Sequence, residues 1–106
     1  MFEFLRNLVQ GGSDDVAAVL AQDHIVIDVR SPQEFAGGHV AGSKNIPLQR
    51  LSDQLDTIAA TKPIVFCCAS GARSGSATSL AKQAGRVAVN GGPWTAVNRM
   101  LADVKR

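Results

Sequence analysis

The spacing of apolar positions changes several times along the chain. Over Met1–Gln10 it follows about 100° per residue: Phe2, Phe4, Leu5, Leu8 and Val9 share one arc, and Glu3, Arg6, Asn7 and Gln10 the other. That pattern predicts a short amphipathic helix, broken by Gly11-Gly12. Ser13 is a suitable N-cap, and Asp14 and Asp15 suit the positive end of the following helix. This helix is predicted to reach about Ala21, with Val16, Ala17 and Leu20 inward. The segment from His24 to Val29 is different. Its run of β-branched residues predicts a strand buried on both faces, as in a parallel sheet. Ser31-Pro32 opens a short helix, with Pro at its first position, and Gly37-Gly38 ends it. Ala41 to Pro47 reads as a loop, and Leu51, Leu55, Ile58 and Ala59 have helical spacing. Pro63 precedes a second buried strand, Ile64 to Cys68. Small residues from Ala69 to Ala72 form a loop. Arg73 to Ala84 then reads as a helix with Ala77, Leu80, Ala81 and Ala84 inward and Gly85 as its stop. Val87 to Val89 is a third strand, and Asn90-Gly91-Gly92-Pro93 a turn. Trp94, Val97, Met100, Leu101 and Val104 are the inner stripe of a final helix. Strands alternating with helices predict an α/β domain around a mainly parallel sheet.

With 106 residues there is room for one domain. A hydrophobic content of 45% against 19% charged residues predicts a packed core, not a disordered chain. Eleven basic and nine acidic residues give +2. That balance is too weak for a cationic nucleic-acid clamp but permits a local positive pocket. No apolar run approaches ~18 residues, so no membrane span is predicted. Residues 1–12 form an extension and 13–106 the domain. The extension carries Glu3 and lacks the long apolar core of a secretory leader. Its polar face is not basic, as membrane-surface helices usually are. Packing of its phenylalanines on the domain, or on a second copy as a homodimer, is expected. Cys67 and Cys68 are neighbours, so no disulfide framework is implied. Only His24 and His39 could join them, and a structural zinc site wants four spaced Cys or His ligands, not an adjacent pair. Free thiols suit a reducing cytoplasm.

The segment carrying most chemical information is Cys68-Ala69-Ser70-Gly71-Ala72-Arg73-Ser74. It places a thiol at the carboxyl end of a buried strand, where open α/β sheets bind ligands. A loop of small residues and a helix start follow. Converging backbone N–H groups in such a place stabilise anions, and a thiol there ionises more readily. Cys68 is therefore the candidate nucleophile, and the reading requires it to be ionised and open to solvent. Strand alternation turns Cys67 to the opposite face, where it is structural. Two superficially similar motifs fail. Gly37 to Gly42 lacks the Lys-Ser order of a phosphate loop, and Ser74 is misplaced for a serine-hydrolase elbow.

Ile27-Asp28-Val29-Arg30, Glu34-Phe35, Gly38-His39-Val40, Gly42 and Asn45-Ile46-Pro47 together resemble the N-terminal signature of rhodanese-like domains. The Cys68 loop resembles their active-site loop, and Gly91-Gly92 the glycine pair before their last helix. The resemblance runs in order from about Ser13 to the C-terminus. It implies a three-layer α/β domain and sulfur transfer. Cys68 would take sulfane sulfur from thiosulfate or another small anionic donor as a persulfide, then pass it to cyanide, a thiol or a protein acceptor. Double displacement of this kind gives ping-pong kinetics. The backbone N–H groups of Ala69, Ser70, Gly71, Ala72 and Arg73 would bind the substrate, with the Arg73 side chain either attracting the donor or fixing the loop. Asp28, Arg30 and Glu34 are expected to form an ion pair supporting the site entrance, and His39 a structural hydrogen bond. The resemblance implies no metal and no organic cofactor. Two alternatives remain. One is a sulfur-carrying or binding module with little thiosulfate turnover, since Ala69, Ser70 and Ala72 are neutral. The other is a phosphatase or arsenate reductase relative, although those resemble a loop one residue longer than Cys68 to Arg73.

Overall fold

The computed structural model describes residues 13–104; the helix predicted over Met1–Gln10 lies outside them. Helix α1 (Ser13–Leu20) leads into strand β1 (Ile25–Asp28), helix α2 (Pro32–Ala36) and the two-residue strand β2 (Lys44–Asn45). One helical turn, α3 (Leu51–Gln54), lies between tighter turns at Leu48–Arg50 and Leu55–Thr57. Strand β3 (Ile64–Cys68), helix α4 (Ala72–Gln83), strand β4 (Ala88–Pro93) and helix α5 (Trp94–Val104) follow. The four strands form one parallel sheet in the order β2-β1-β3-β4.

Every residue of β3 is buried, as its unbroken apolar run requires of a central parallel strand. Alternation along the strands then sorts side chains between two cores. Ile27, Val29, Ile64, Phe66 and Cys68 face α4 and the 48–58 segment, meeting Leu51, Leu55, Ile58, Ala77 and Ala81. Val26, Val65, Cys67 and Val89 face α1 and α5, meeting Val16, Val19, Leu20 and Val97. The sheet thus lies between two helical layers, the three-layer α/β arrangement expected.

Ser31 begins α2 with a reciprocal capping box: its hydroxyl accepts from the Glu34 N–H, while the Glu34 carboxylate accepts from the Ser31 N–H. That box fixes Glu34, which matters at the site.

Several predicted details change. Helix α1 turns Val19 inward and leaves Ala17 exposed, because Val16, Val19 and Leu20 make the continuous helical stripe. Ala59, Ala84 and Val104 are exposed. The 51–59 segment is no single helix; the Arg86 guanidinium donates to the carbonyls of Leu55, Ile58 and Ala59 and ties off its last turn. Lys44-Asn45 is not loop but edge strand, pairing with Ile27 and Asp28. The Asn45 amide holds it there, donating to the carbonyls of Asp28 (3.0 Å) and Arg30 (2.9 Å). Asn90 to Pro93 is not a free turn. It continues β4 through a bulge: Phe66 pairs with Asn90 but Cys67 with Gly92, leaving Gly91 as the extra residue.

Candidate active site

Cys68 ends β3, and the chain turns at once through Ala69, Ser70 and Gly71 into α4. Gly71 permits the turn, with φ 106° and ψ −10°, a conformation side chains disfavour. The turn brings donors back onto the sulfur. The Gly71 N–H lies 3.0 Å from Cys68 Sγ, the Ser74 N–H 3.4 Å and the Ser74 hydroxyl 3.3 Å. The Ala72 N–H instead donates to Ser70 Oγ at 3.4 Å. Burial by itself pushes the Cys68 thiol up. Hydrogen bonds at the sulfur, among them those from the N–H groups of Ser74, Gly71 and Ser70, outweigh it and hold the thiol below its ordinary value. Cys67, one residue earlier, has no such donors. Burial, aided by the Asp28 charge, pushes its thiol up to about 12.

One expectation is corrected. Cys68 has 0% of its surface exposed in the closed loop. The sulfur is therefore closed off from solvent here, although Ala69 and Ser70, immediately after it, are exposed.

Arg73 gives its side-chain hydrogen bonds to Glu34 and makes none to the sulfur. Its guanidinium makes two bonds to the Glu34 carboxylate, at 2.8 and 3.0 Å. Glu34 is held down to about 2, first by that Arg73 contact and then by the Ser31 N–H. The expected grouping of Glu34 with Asp28 and Arg30 is thus corrected: the Glu34 carboxylate belongs to Arg73, and Arg30 reaches only the Glu34 carbonyl, at 3.3 Å. Asp28 and Arg30 form a separate buried pair at 2.7 Å. Arg30 also donates to the Gly38 carbonyl (2.7 Å) and lies 5.1 Å from the centre of the Trp94 ring. Asp28 is in register with Cys67 and shares the sheet face of Val26, opposite Cys68. The pair therefore braces the end of β1 on the sheet face of Cys67, not that of the nucleophile. His39 lies three residues beyond α2, its Nδ1 2.7 Å from the Phe35 carbonyl and its ring stacked on Phe35.

Sequence reasoning missed Ser74 and Asn90. Ser74 is buried, three residues before Ala77 on the inner face of α4; a serine on that stripe was a readable signal. Asn90 gave none, because its position depends on the β4 bulge. Its side chain accepts from the Ser74 hydroxyl at 2.7 Å and from the Gly92 N–H at 2.9 Å, and donates to the Gly71 carbonyl at 3.1 Å. Among the described residues no cluster of three or more His, Cys, Asp or Glu could hold a metal ion. No helix there is long and apolar enough to cross a membrane.

Residues 13–99 match the Rhodanese-like domain family. Among related sequences, the uncharacterized protein YqhL of Bacillus subtilis (strain 168) is 42% identical over 60 residues, covering 57% of this chain and 48% of that protein. The thiosulfate sulfurtransferase GlpE of Pseudomonas aeruginosa is 37% identical over 60 residues, covering 57% and 54%. The chain thus aligns with about half the length of each. Among solved structures, a rhodanese-like domain protein from Staphylococcus aureus superposes with a TM-score of 0.68 at 25% identity, covering 81% of this chain and 86% of the other.

Proposed function

The chain belongs to the rhodanese-like family, a family of sulfurtransferase type, and on that premise we propose that it moves sulfane sulfur through a persulfide on Cys68. The observation that carries the reading is the pair of N–H groups, from Gly71 and Ser74, aimed at the sulfur at 3.0 and 3.4 Å. The Cys68 thiolate attacks the outer sulfur of thiosulfate or a related donor. A Cys68–sulfur bond forms, the donor's S–S bond breaks, and sulfite leaves with the bonding pair. Cyanide or a thiol then attacks the outer sulfur of the persulfide, and the Cys68 thiolate leaves. Amide donors that already lie against Sγ stabilise the thiolate both as the nucleophile of the first step and as the leaving group of the second. Because Cys68 is buried, the loop around it has to open for each transfer. A cytoplasmic setting fits, because a reducing compartment keeps the thiol free between turnovers.

A second reading, a carrier with little thiosulfate turnover, is favoured by the Arg73–Glu34 pair. The one cationic side chain of the loop is already neutralised, so it offers little attraction to a dianion. The phosphatase reading is disfavoured by the six-residue span from Cys68 to Arg73.

Thiocyanate production from thiosulfate and cyanide tests the proposal. Wild type and Cys67→Ser should turn over, and Cys68→Ser should be inert. A mass gain of one sulfur on Cys68 with slow turnover would select the carrier reading. An active Cys68→Ser variant would overturn both.

A further inference from the structure

Asn90 has a side-chain amide with only one workable orientation. Its Oδ1 accepts from the Gly92 N–H at 2.9 Å, and its Nδ2 donates to the Gly71 carbonyl at 3.1 Å. Flipping the amide would set donor against donor at Gly92 and acceptor against acceptor at Gly71. Oδ1 must therefore face Ser74, 2.7 Å away. Two oxygens at that distance need a proton between them, and only the serine has one to give. The hydroxyl's single proton then points to Asn90. What Ser74 turns toward Cys68 Sγ, at 3.3 Å, is a lone pair.

We propose that Asn90 is a positioning residue which commits the Ser74 hydroxyl to itself, so that Ser74 meets the Cys68 thiol as an acceptor and the thiolate forms less readily than the surrounding N–H groups alone would allow. Cys68 S–H donates to Ser74 Oγ in this state. When the proton leaves to water, the serine O–H has to desert Asn90 to reach the thiolate, and Oδ1 keeps only the Gly92 N–H. The Gly71 and Ser74 N–H groups favour the thiolate throughout. Asn90 opposes them through Ser74. The inference rests on the sulfur-transfer reading for its purpose, since a persulfide-bearing Sγ is uncharged and leaves the serine proton on Asn90. Asn90 thus favours thiol and loaded sulfur over bare thiolate.

The β4 bulge and Gly75 make the arrangement possible. The bulge holds Asn90 opposite Phe66. A Cβ at Gly75 would stand 3.2 Å from Asn90 Nδ2. Few charges confuse the site. Helix α4 contributes Arg73, paired with Glu34 of α2. β4 carries no ionisable side chain. Asp28, the last residue of β1, and Arg30 just beyond it bond each other on the opposite face, and Arg50, beside α3, is exposed.

The test is the pH dependence of iodoacetamide alkylation of Cys68, read in a Cys67→Ser background so that one thiol reports. It needs no sulfur-transfer activity, so it stands or falls apart from the proposed function. Asn90→Ala should move the alkylation midpoint down by up to about one pH unit, because the Ser74–Asn90 hydrogen bond no longer has to be broken when the thiolate forms. In a Ser74→Ala background the same change should lose that downward effect. Asn90→Asp keeps the acceptor and adds negative charge, and should move the midpoint up. A merely structural Asn90 would loosen the loop and shift the midpoint equally in both serine backgrounds. That result, or an unshifted or raised midpoint in Asn90→Ala with Ser74 present, overturns the proposal.

Discussion

Gly71→Ala is the substitution that most directly tests the anion-holding loop. Gly71 sits at φ 106°, ψ −10°. Space is not the obstacle, since a Cβ there would stand 3.5 Å from Gly92 Cα, an ordinary contact. The obstacle is conformational: an L-residue in left-handed backbone costs roughly 1–2 kcal/mol. The loop has two ways to respond. It can keep its shape and lose that stability, a fall in melting temperature of about 4–8 °C per kcal/mol for a domain near this size. Or the backbone at residue 71 can relax, moving the N–H that lies 3.0 Å from the sulfur. A hydrogen bond to a charged group is worth about 1.5–3 kcal/mol. At 1.36 kcal/mol per pKa unit, its loss raises the thiol by about one to two units. Thermal melts and alkylation rates across pH, both in a Cys67→Ser background, separate the two responses. At least one reading must move in the stated direction. A variant that melts no lower and alkylates with the parent's midpoint would refute the claim that this turn holds the thiolate.

Two further substitutions probe what supports the loop. Gly91→Ala should destabilise by about 1–3 kcal/mol through overpacking, because the new Cβ would stand 2.6 Å from Val97 Cγ2, 2.8 Å from Val65 Cγ1 and 2.9 Å from the Phe66 carbonyl oxygen; a melt matching wild type would contradict the bulge. The Glu34 carboxyl is held down from 4.5 to about 2, chiefly by Arg73. A folded value below the unfolded one means its stabilising contribution is complete above the unfolded value and fades as pH falls toward the folded one. The melting advantage of wild type over Glu34→Gln should therefore be flat down to about pH 5, shrink below it and vanish near pH 2. An advantage that grows on acidification would reverse the sign and refute the pairing.

The α/β class, the buried strands and the nucleophile were legible because each left a local mark. Runs such as Ile64 to Cys68 announce a two-sided buried strand, and Cys68 to Arg73 announces a strand end, a small-residue loop and a helix start. Longer-range geometry left no such mark. Glu34 and Arg73 are 39 residues apart in the chain, and Glu34 has Arg30 closer in sequence. Only the capping box with Ser31 fixes the carboxylate where Arg73 can reach it. A two-residue strand such as β2 has no alternation to read. The β4 bulge turns an apparent turn sequence into a strand end, and Asn90 gained its partners through that extra residue. Exposure also escaped the sequence. A small-residue loop predicts close approach of amides to sulfur, but not that the approach is close enough to cover it.

The adjacent cysteines show why the loop, more than burial, decides the chemistry. Cys67 and Cys68 are both without exposed surface, so desolvation opposes ionisation of each. Their thiols nevertheless move in opposite directions, up to about 12 for Cys67 and down for Cys68. Position in the strand accounts for the difference. Cys67 packs with Val65 and Val97, and the charge of the Asp28 carboxylate acts against its ionisation. Cys68 is the last strand residue on the α4 side, where the chain's reversal returns amides that a helix start leaves unpaired. No earlier residue of β3 has that access, because Ile64 and Phe66 on the same face meet the side chains of α3 and α4. The nucleophile is therefore fixed at the strand's final residue by where the helix begins. A thiol moved back to position 66 would share the face and the burial of Cys68 without its donors, and should behave like Cys67.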